Sequence, residues 1–133
     1  MNVADVEGIG PAYADKLAAA GVKTTDGLLE AGASPKGRAD LEAATGISHA
    51  LILKWVNRVD LYRIKGIGSE YSDLLEVAGV DTVPELAQRN AANLTATLAE
   101  ANAARNLVRK LPTEDQVADW VAQARQLPRV VTY

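Results

Sequence analysis

Cysteine and phenylalanine are absent from the 133 residues, and histidine and methionine occur once each. Without thiols there is no disulfide framework and no thiolate metal site. The single histidine, His49, has no second imidazole or thiol with which to complete a zinc site; placed just after the helix-capping Ser48, it is expected to face solvent. Long apolar runs are missing as well. No stretch approaches the roughly 20 residues needed to cross a bilayer, and the first ten residues lack the basic flank and apolar segment of a leader. The expectation is a cytoplasmic protein with no membrane partner. Alternation of period two is also lacking; Val130-Val131-Thr132-Tyr133 is β-prone but short and terminal.

Signatures of catalysis are equally scarce. No nucleophile and base stand at a recognisable spacing, and the Gly-Ile-Gly turns described below lack the Gly-Lys-Ser/Thr ending of a nucleotide-binding loop. No cofactor, metal or small-molecule substrate is inferred, and a non-enzymatic binding module is expected. What the chain does have is 48% hydrophobic residues, enough for a core, and a net charge of −3. That balance argues against a surface wholly devoted to phosphate, which needs lysine and arginine, but leaves room for a local basic patch.

The chain repeats itself. Val6-Glu7-Gly8-Ile9-Gly10 aligns with Ile64-Lys65-Gly66-Ile67-Gly68 at an offset of 58, and the alignment runs without a gap to Leu28 over Leu86, with 11 of 23 positions identical. Chance would give one or two, so this is an internal duplication. Lys54-Trp55-Val56 matches Asp119-Trp120-Val121 at an offset of 65. The later copy has therefore gained seven residues, expected within 92–112. The two repeats are read as 1–63 and 64–133, with no Gly/Ser-rich or Pro-rich linker between them, and as pseudo-symmetric halves of one compact unit.

Glycine punctuates each copy. Two glycines around one aliphatic residue suit a tight turn, with Ile9 and Ile67 pointing inward. Tyr13, Leu17 and Ala20, and likewise Tyr71, Leu75 and Ala78, then fall at helical spacing. Pro11 suits a first helical turn, and Gly21 and Gly79 suit the position just past a helix end. Thr24, Ser34 and Ser48 read as helix caps; Thr82 with Glu85, and Thr113 with Gln116, read as capping boxes. Leu51, Ile52, Trp55, Val56 and Val59 form one apolar stripe, and Val117, Trp120, Val121 and Ala124 another. The fold class is all-α, with about ten helices counting short ones. Trp55 and Trp120 are expected in the core, each indole N–H finding an acceptor, with Tyr13 and Tyr71 packed behind the turns.

Two glycine-bracketed turns, each followed by a helix and then by Gly-Val-x-Thr, resemble the helix-hairpin-helix motif. The whole chain, from about Val6 to Leu127, also resembles an uncharacterised bacterial family, domain of unknown function 4332. The resemblance rests on Gly46-Ile47-Ser48, Lys54-Trp55-Val56-Asn57, the run from Asp60 to Gly68, Leu86-Ala87-Gln88-Arg89-Asn90 and the Trp120 segment. That family carries no established activity. The motif class implies sequence-independent DNA binding, with hairpin amides on phosphate oxygens.

The residues themselves leave two readings open. Gly8, Gly10, Gly66 and Gly68 would offer backbone N–H groups at a helix N-terminus, which attracts anions. Lys16, and a stripe of Lys54, Arg58, Arg63 and Lys65, would supply positive charge. Against this, motif-class hairpins carry a base after the second glycine, where this chain has Ala12 and Glu70. By segment, residues 33–65 carry Lys36, Arg38, Lys54, Arg58, Arg63 and Lys65 against Asp40, Glu42 and Asp60, whereas residues 66–90 carry Glu70, Asp73, Glu76, Asp81 and Glu85 against Arg89. One reading is weak, sequence-independent binding of nucleic-acid backbone. The other is a protein-interaction or self-association module that has lost the phosphate site.

Overall fold

Helix caps written into the sequence set the element order. In the computed structural model, which describes residues 1–133, a short 3-10 turn over Val3–Asp5 precedes eight helices: α1 Pro11–Ala19, α2 Thr25–Gly32, α3 Pro35–Thr45, α4 His49–Leu61, α5 Ser69–Val77, α6 Val83–Ala87, α7 Ala91–Arg105 and α8 Glu114–Gln126. The protein is all-α and has no strand. The count falls short of ten because each copy supplies four helices and no more.

Side-chain caps start most of these helices by satisfying amides that have no partner one turn back. Thr24, Ser34, Asn90 and Thr113 accept from Gly27, Gly37, Asn93 and Gln116. At Thr113 the expected box closes in both directions, with the Gln116 side chain accepting from the Thr113 amide. At Thr82 only half of it forms: the hydroxyl accepts from Glu85, and no bond returns. Helices α1 and α5 end identically. Gly21 and Gly79 adopt φ of +87° and +92°. The Val22 amide donates to Leu17 and the Val80 amide to Leu75, both at 2.8 Å, while each glycine amide donates to the residue three before it. This pair of bonds is the Schellman closure, and it lets Val22 and Val80 turn back into the core.

The chain divides into two compact units, where the sequence reading expected one. The first comprises Met1–Asp60 together with Arg129–Tyr133, and the second comprises Leu61–Pro128. Each has its own apolar core. In the first, α2 and α1 pack on α3, around Leu17, Leu28, Ile52, Trp55 and Val56. In the second, α8 packs on α6 and α7, and α5 on α7, around Leu74, Leu75, Leu86, Leu98 and Trp120.

The copies differ in two places. The helix-cap offset falls to 56 between Ser34 and Asn90, then rises to 65 between Ser48 and Thr113. The later copy thus shortens α6 before it gains length through α7 and the segment behind it. That added segment is held by Asn102, whose side chain bonds both the amide and the carbonyl of Val108.

The other difference is the last five residues, which the sequence reading gave to the second repeat and which pack in the first unit. Val131 is buried there. The Thr132 amide donates to Ala33, and the Tyr133 hydroxyl donates to Asn57. Partial burial raises the Tyr133 pKa above the ordinary phenol value. Arg38, only 2% exposed, organises this corner. Its guanidinium donates to the carbonyls of Gly32, Ala33 and Thr132 at 2.9, 3.1 and 2.6 Å, and to His49 Nε2 at 3.3 Å. His49, expected in solvent, is half-buried as an acceptor for this arginine. Replacing Arg38 by methionine keeps the stem and strips donors from one buried and two part-buried carbonyls. It should cost about 2–4 kcal/mol in urea unfolding and make residues 129–133 sensitive to carboxypeptidase.

Candidate functional site: the two glycine turns

Each turn is built by the same bonds. The Val6 amide donates to Val3 and the Ile9 amide to Val6; the Ile64 amide donates to Leu61 and the Ile67 amide to Ile64, all at 3.0–3.1 Å. The third residue of each four-residue turn is a left-handed glycine, Gly8 at φ +90° and Gly66 at φ +100°. A bond from residue four to residue one, with positive φ at position three alone, is the type II turn, and glycine is its natural third residue. Ile9 and Ile67 are buried beneath. The second glycines, Gly10 and Gly68, are the N-cap residues of α1 and α5 and bring no capping side chain. The amides of Gly8, Gly10, Gly66 and Gly68 donate to no protein acceptor, while those of Ile9 and Ile67 are used inside the turn.

A tryptophan lies under each turn. Trp55 and Trp120 are each 2% exposed, as core residues should be. A Cβ on Gly8 would stand 3.8 Å from the Trp55 Nε1, and one on Gly66 only 2.8 Å from the Trp120 Nε1. Each indole also takes a tyrosine ring edge-on or tilted: Tyr13 on Trp55 with centroids 5.1 Å apart, and Tyr71 on Trp120 at 5.2 Å. Neither indole N–H has the expected acceptor within the protein; each nitrogen stays open to solvent rather than sealed in the core. The nitrogen lies beneath the glycine instead.

The basic residues do not gather as the sequence reading supposed. Lys54 and Lys65 are exposed. Arg58 is only 6% exposed and is engaged within the protein, so it does not extend a surface stripe. Helix α4 places it on the core side, one turn on from Trp55. Arg63 is half-buried and donates to the Pro128 carbonyl at 3.1 Å. Lys16 is exposed, with its ammonium 5.9 Å from the Tyr13 ring. The four residues of the expected stripe thus reduce to Lys54 and Lys65 with a tethered Arg63.

Two contributors were not singled out from sequence. Gln123 on α8 clasps the second turn, accepting from the Lys65 amide at 2.9 Å and donating to its carbonyl at 3.1 Å. At the offset of 65 it corresponds to Arg58. The other is the indole nitrogen itself. Its signal was present in the matched spacing of Gly8 to Trp55 and Gly66 to Trp120.

A family model described as Domain of unknown function (DUF4332) matches residues 7–127. The chain belongs to that family. No curated protein and no solved structure matches it. The match in this DUF4332 chain spans both Gly-Ile-Gly segments and both tryptophans. No group of three or more His, Cys, Asp or Glu residues could hold a metal ion. No helix is long and apolar enough to cross a membrane.

The unequal spacing under the two glycines yields a ranking. Gly8→Ala should cost about 1–2 kcal/mol from left-handed strain alone. Gly66→Ala adds a methyl against the Trp120 nitrogen and should cost more, by about 1 kcal/mol or beyond. Urea unfolding of the two variants measures the difference, and near-UV circular dichroism should change more for Gly66→Ala.

Proposed function

We propose that this chain is a non-catalytic, tandem helix-hairpin-helix module that binds nucleic-acid backbone weakly and without sequence preference, working in the cytoplasm. The observation that carries the reading is the pair of equivalent turns whose glycine amides remain free at the start of a helix. Free amides converging at a helix N-terminus suit a phosphate oxygen, and the helix dipole adds to the attraction. A phosphate contact made by backbone groups carries no base information, so the binding would be indifferent to sequence.

The two turns are not equivalent in charge. At the second position of the turn the first copy has Glu7 and the second has Lys65, both exposed. The second turn, flanked by Lys65 and Arg63, is the better phosphate site. Exposed Glu70 in the first turn of α5 opposes it and keeps the affinity low. With Arg38 and Arg58 buried, few phosphates can be neutralised at once, which also sets a shallow ceiling on affinity.

A mixed-sequence DNA duplex titrated at ~50 and ~200 mM salt tests this. Binding should be measurable at the lower salt, should weaken steeply at the higher, and should be abolished by Lys65→Glu, whereas Lys16→Glu should have the smaller effect. The absence of binding at low salt, together with a mass by light scattering that rises with concentration, would replace this reading by that of an assembly module.

A further inference from the structure

Each enclosed tryptophan ring keeps its indole N–H at an opening to solvent, bonded to no group of the protein. A ring buried in a core ordinarily turns its indole N–H either to an acceptor or to an opening where solvent or a ligand can reach it. Here the second arrangement occurs twice, at matched places: the rings are 98% enclosed, while each nitrogen stays open to solvent beside an exposed glycine. At the second turn the nearest atom to the space that a residue-66 side chain would fill is the Trp120 Nε1, at 2.8 Å. Any side chain there would cover the nitrogen. Glycine leaves it open from outside.

The amides of the same turn divide neatly. Lys65 gives its N–H to Gln123, and Ile67 gives its N–H to Ile64. Gly66 and Gly68 give theirs to nothing in the protein, and the first-turn amides of the nine-residue helix α5 follow directly. Gln123 holds both polar groups of Lys65, which fixes the turn in place before any ligand arrives.

We infer that the Trp120 indole N–H is a ligand-binding donor, completing with the amides of Gly66 and Gly68 a site for one oxygen anion, a phosphodiester oxygen when the ligand is nucleic acid. The assignment rests on the reading of the turns as phosphate sites and names the side chain that reading lacks. It also distinguishes the two copies. Trp55 presents the same donor beneath Gly8, but Glu7 stands where the second turn has Lys65, so the first turn repels the ligand that the second accepts. Glu70 works against the site from α5, and its neutralisation should strengthen binding.

Indole N–H resonances report on this directly. In the ¹⁵N-labelled full chain the two tryptophans give two such signals, assigned with Trp120→Phe and Trp55→Phe. The protein is titrated with inorganic phosphate and, separately, with a DNA duplex at ~50 mM salt. The expected result is a downfield shift of the Trp120 signal with little movement of Trp55, about tenfold weaker duplex binding by Trp120→Phe, and tighter binding by Glu70→Gln. Duplex binding that leaves the Trp120 signal still and is unchanged in Trp120→Phe would overturn the donor role while leaving the nucleic-acid reading intact. A Trp120 shift with phosphate but no duplex binding would support the anion site and remove nucleic acid as its ligand. No response to either would overturn both. Should Trp120→Phe fail to fold, the signal in the unaltered chain decides alone.

Discussion

The contact between a left-handed glycine and the edge of a buried indole is the constraint around which each unit is organised. A type II turn requires a residue at position three that tolerates positive φ, which already selects glycine. The indole beneath selects it again, because any Cβ on Gly66 would collide with the Trp120 nitrogen. At Gly66 the two requirements reinforce each other; at Gly8, where a Cβ would stand 3.8 Å from the Trp55 nitrogen, the backbone requirement acts alone. The turn places Ile9 or Ile67 downward into the core, the tryptophan supports the turn from the last helix of the copy, and a tyrosine from the helix after the turn packs against that tryptophan. One contact therefore joins the first and last segments of each unit across more than forty residues of chain. Such long-range closure gives a small helical unit a defined core where helix propensity alone could not.

The scaffold duplicated more faithfully than its chemistry. The turn bonds and the Schellman bonds closing α1 and α5 agree partner for partner, because they follow from glycine positions that both copies retain. Side chains at equivalent places diverge in charge. Glu7 answers to Lys65, and Arg58 answers to Gln123. A neutral amide can satisfy both the backbone donor and the backbone acceptor of one residue, as Gln123 does for Lys65. A buried guanidinium can only donate and brings a charge that must be matched. The two turns thus share a frame and offer different electrostatic surroundings to anything that approaches.

Much of the fold was legible because its signals are local. Thr24, Ser34, Thr113, Gly21 and Gly79 each name a helix boundary through a bond made within a few residues, and each stands where the sequence put it. The duplication made Trp55 and Trp120 core residues on spacing alone. What escaped depends on contacts distant in sequence. The tail of the chain is held by Arg38, nearly a hundred residues away, and nothing in Val131-Thr132-Tyr133 announces the unit in which it docks. His49 left solvent for the same reason, drawn in by that arginine. Half of the capping box at Thr82 did not form, since motif spacing permits a reciprocal bond without requiring it.

The candidate site was misjudged in one instructive respect: formal charge along the chain was read as surface charge. Residues 33–65 are rich in lysine and arginine, yet two of the arginines are spent inside the first unit. Arg38 serves three carbonyls and an imidazole, and Arg58 lies on the core side of α4. An arginine at a helix position whose neighbours are Trp55, Val56 and Val59 is placed by the apolar stripe, and the stripe wins because burying those three side chains is worth several kcal/mol in aggregate. The long aliphatic stem lets the arginine share that environment. Position within the helical period, rather than the sign of the charge, decides which cations reach the surface. By that criterion Lys54 and Lys65, outside the stripe, lie exposed while Arg58 is buried.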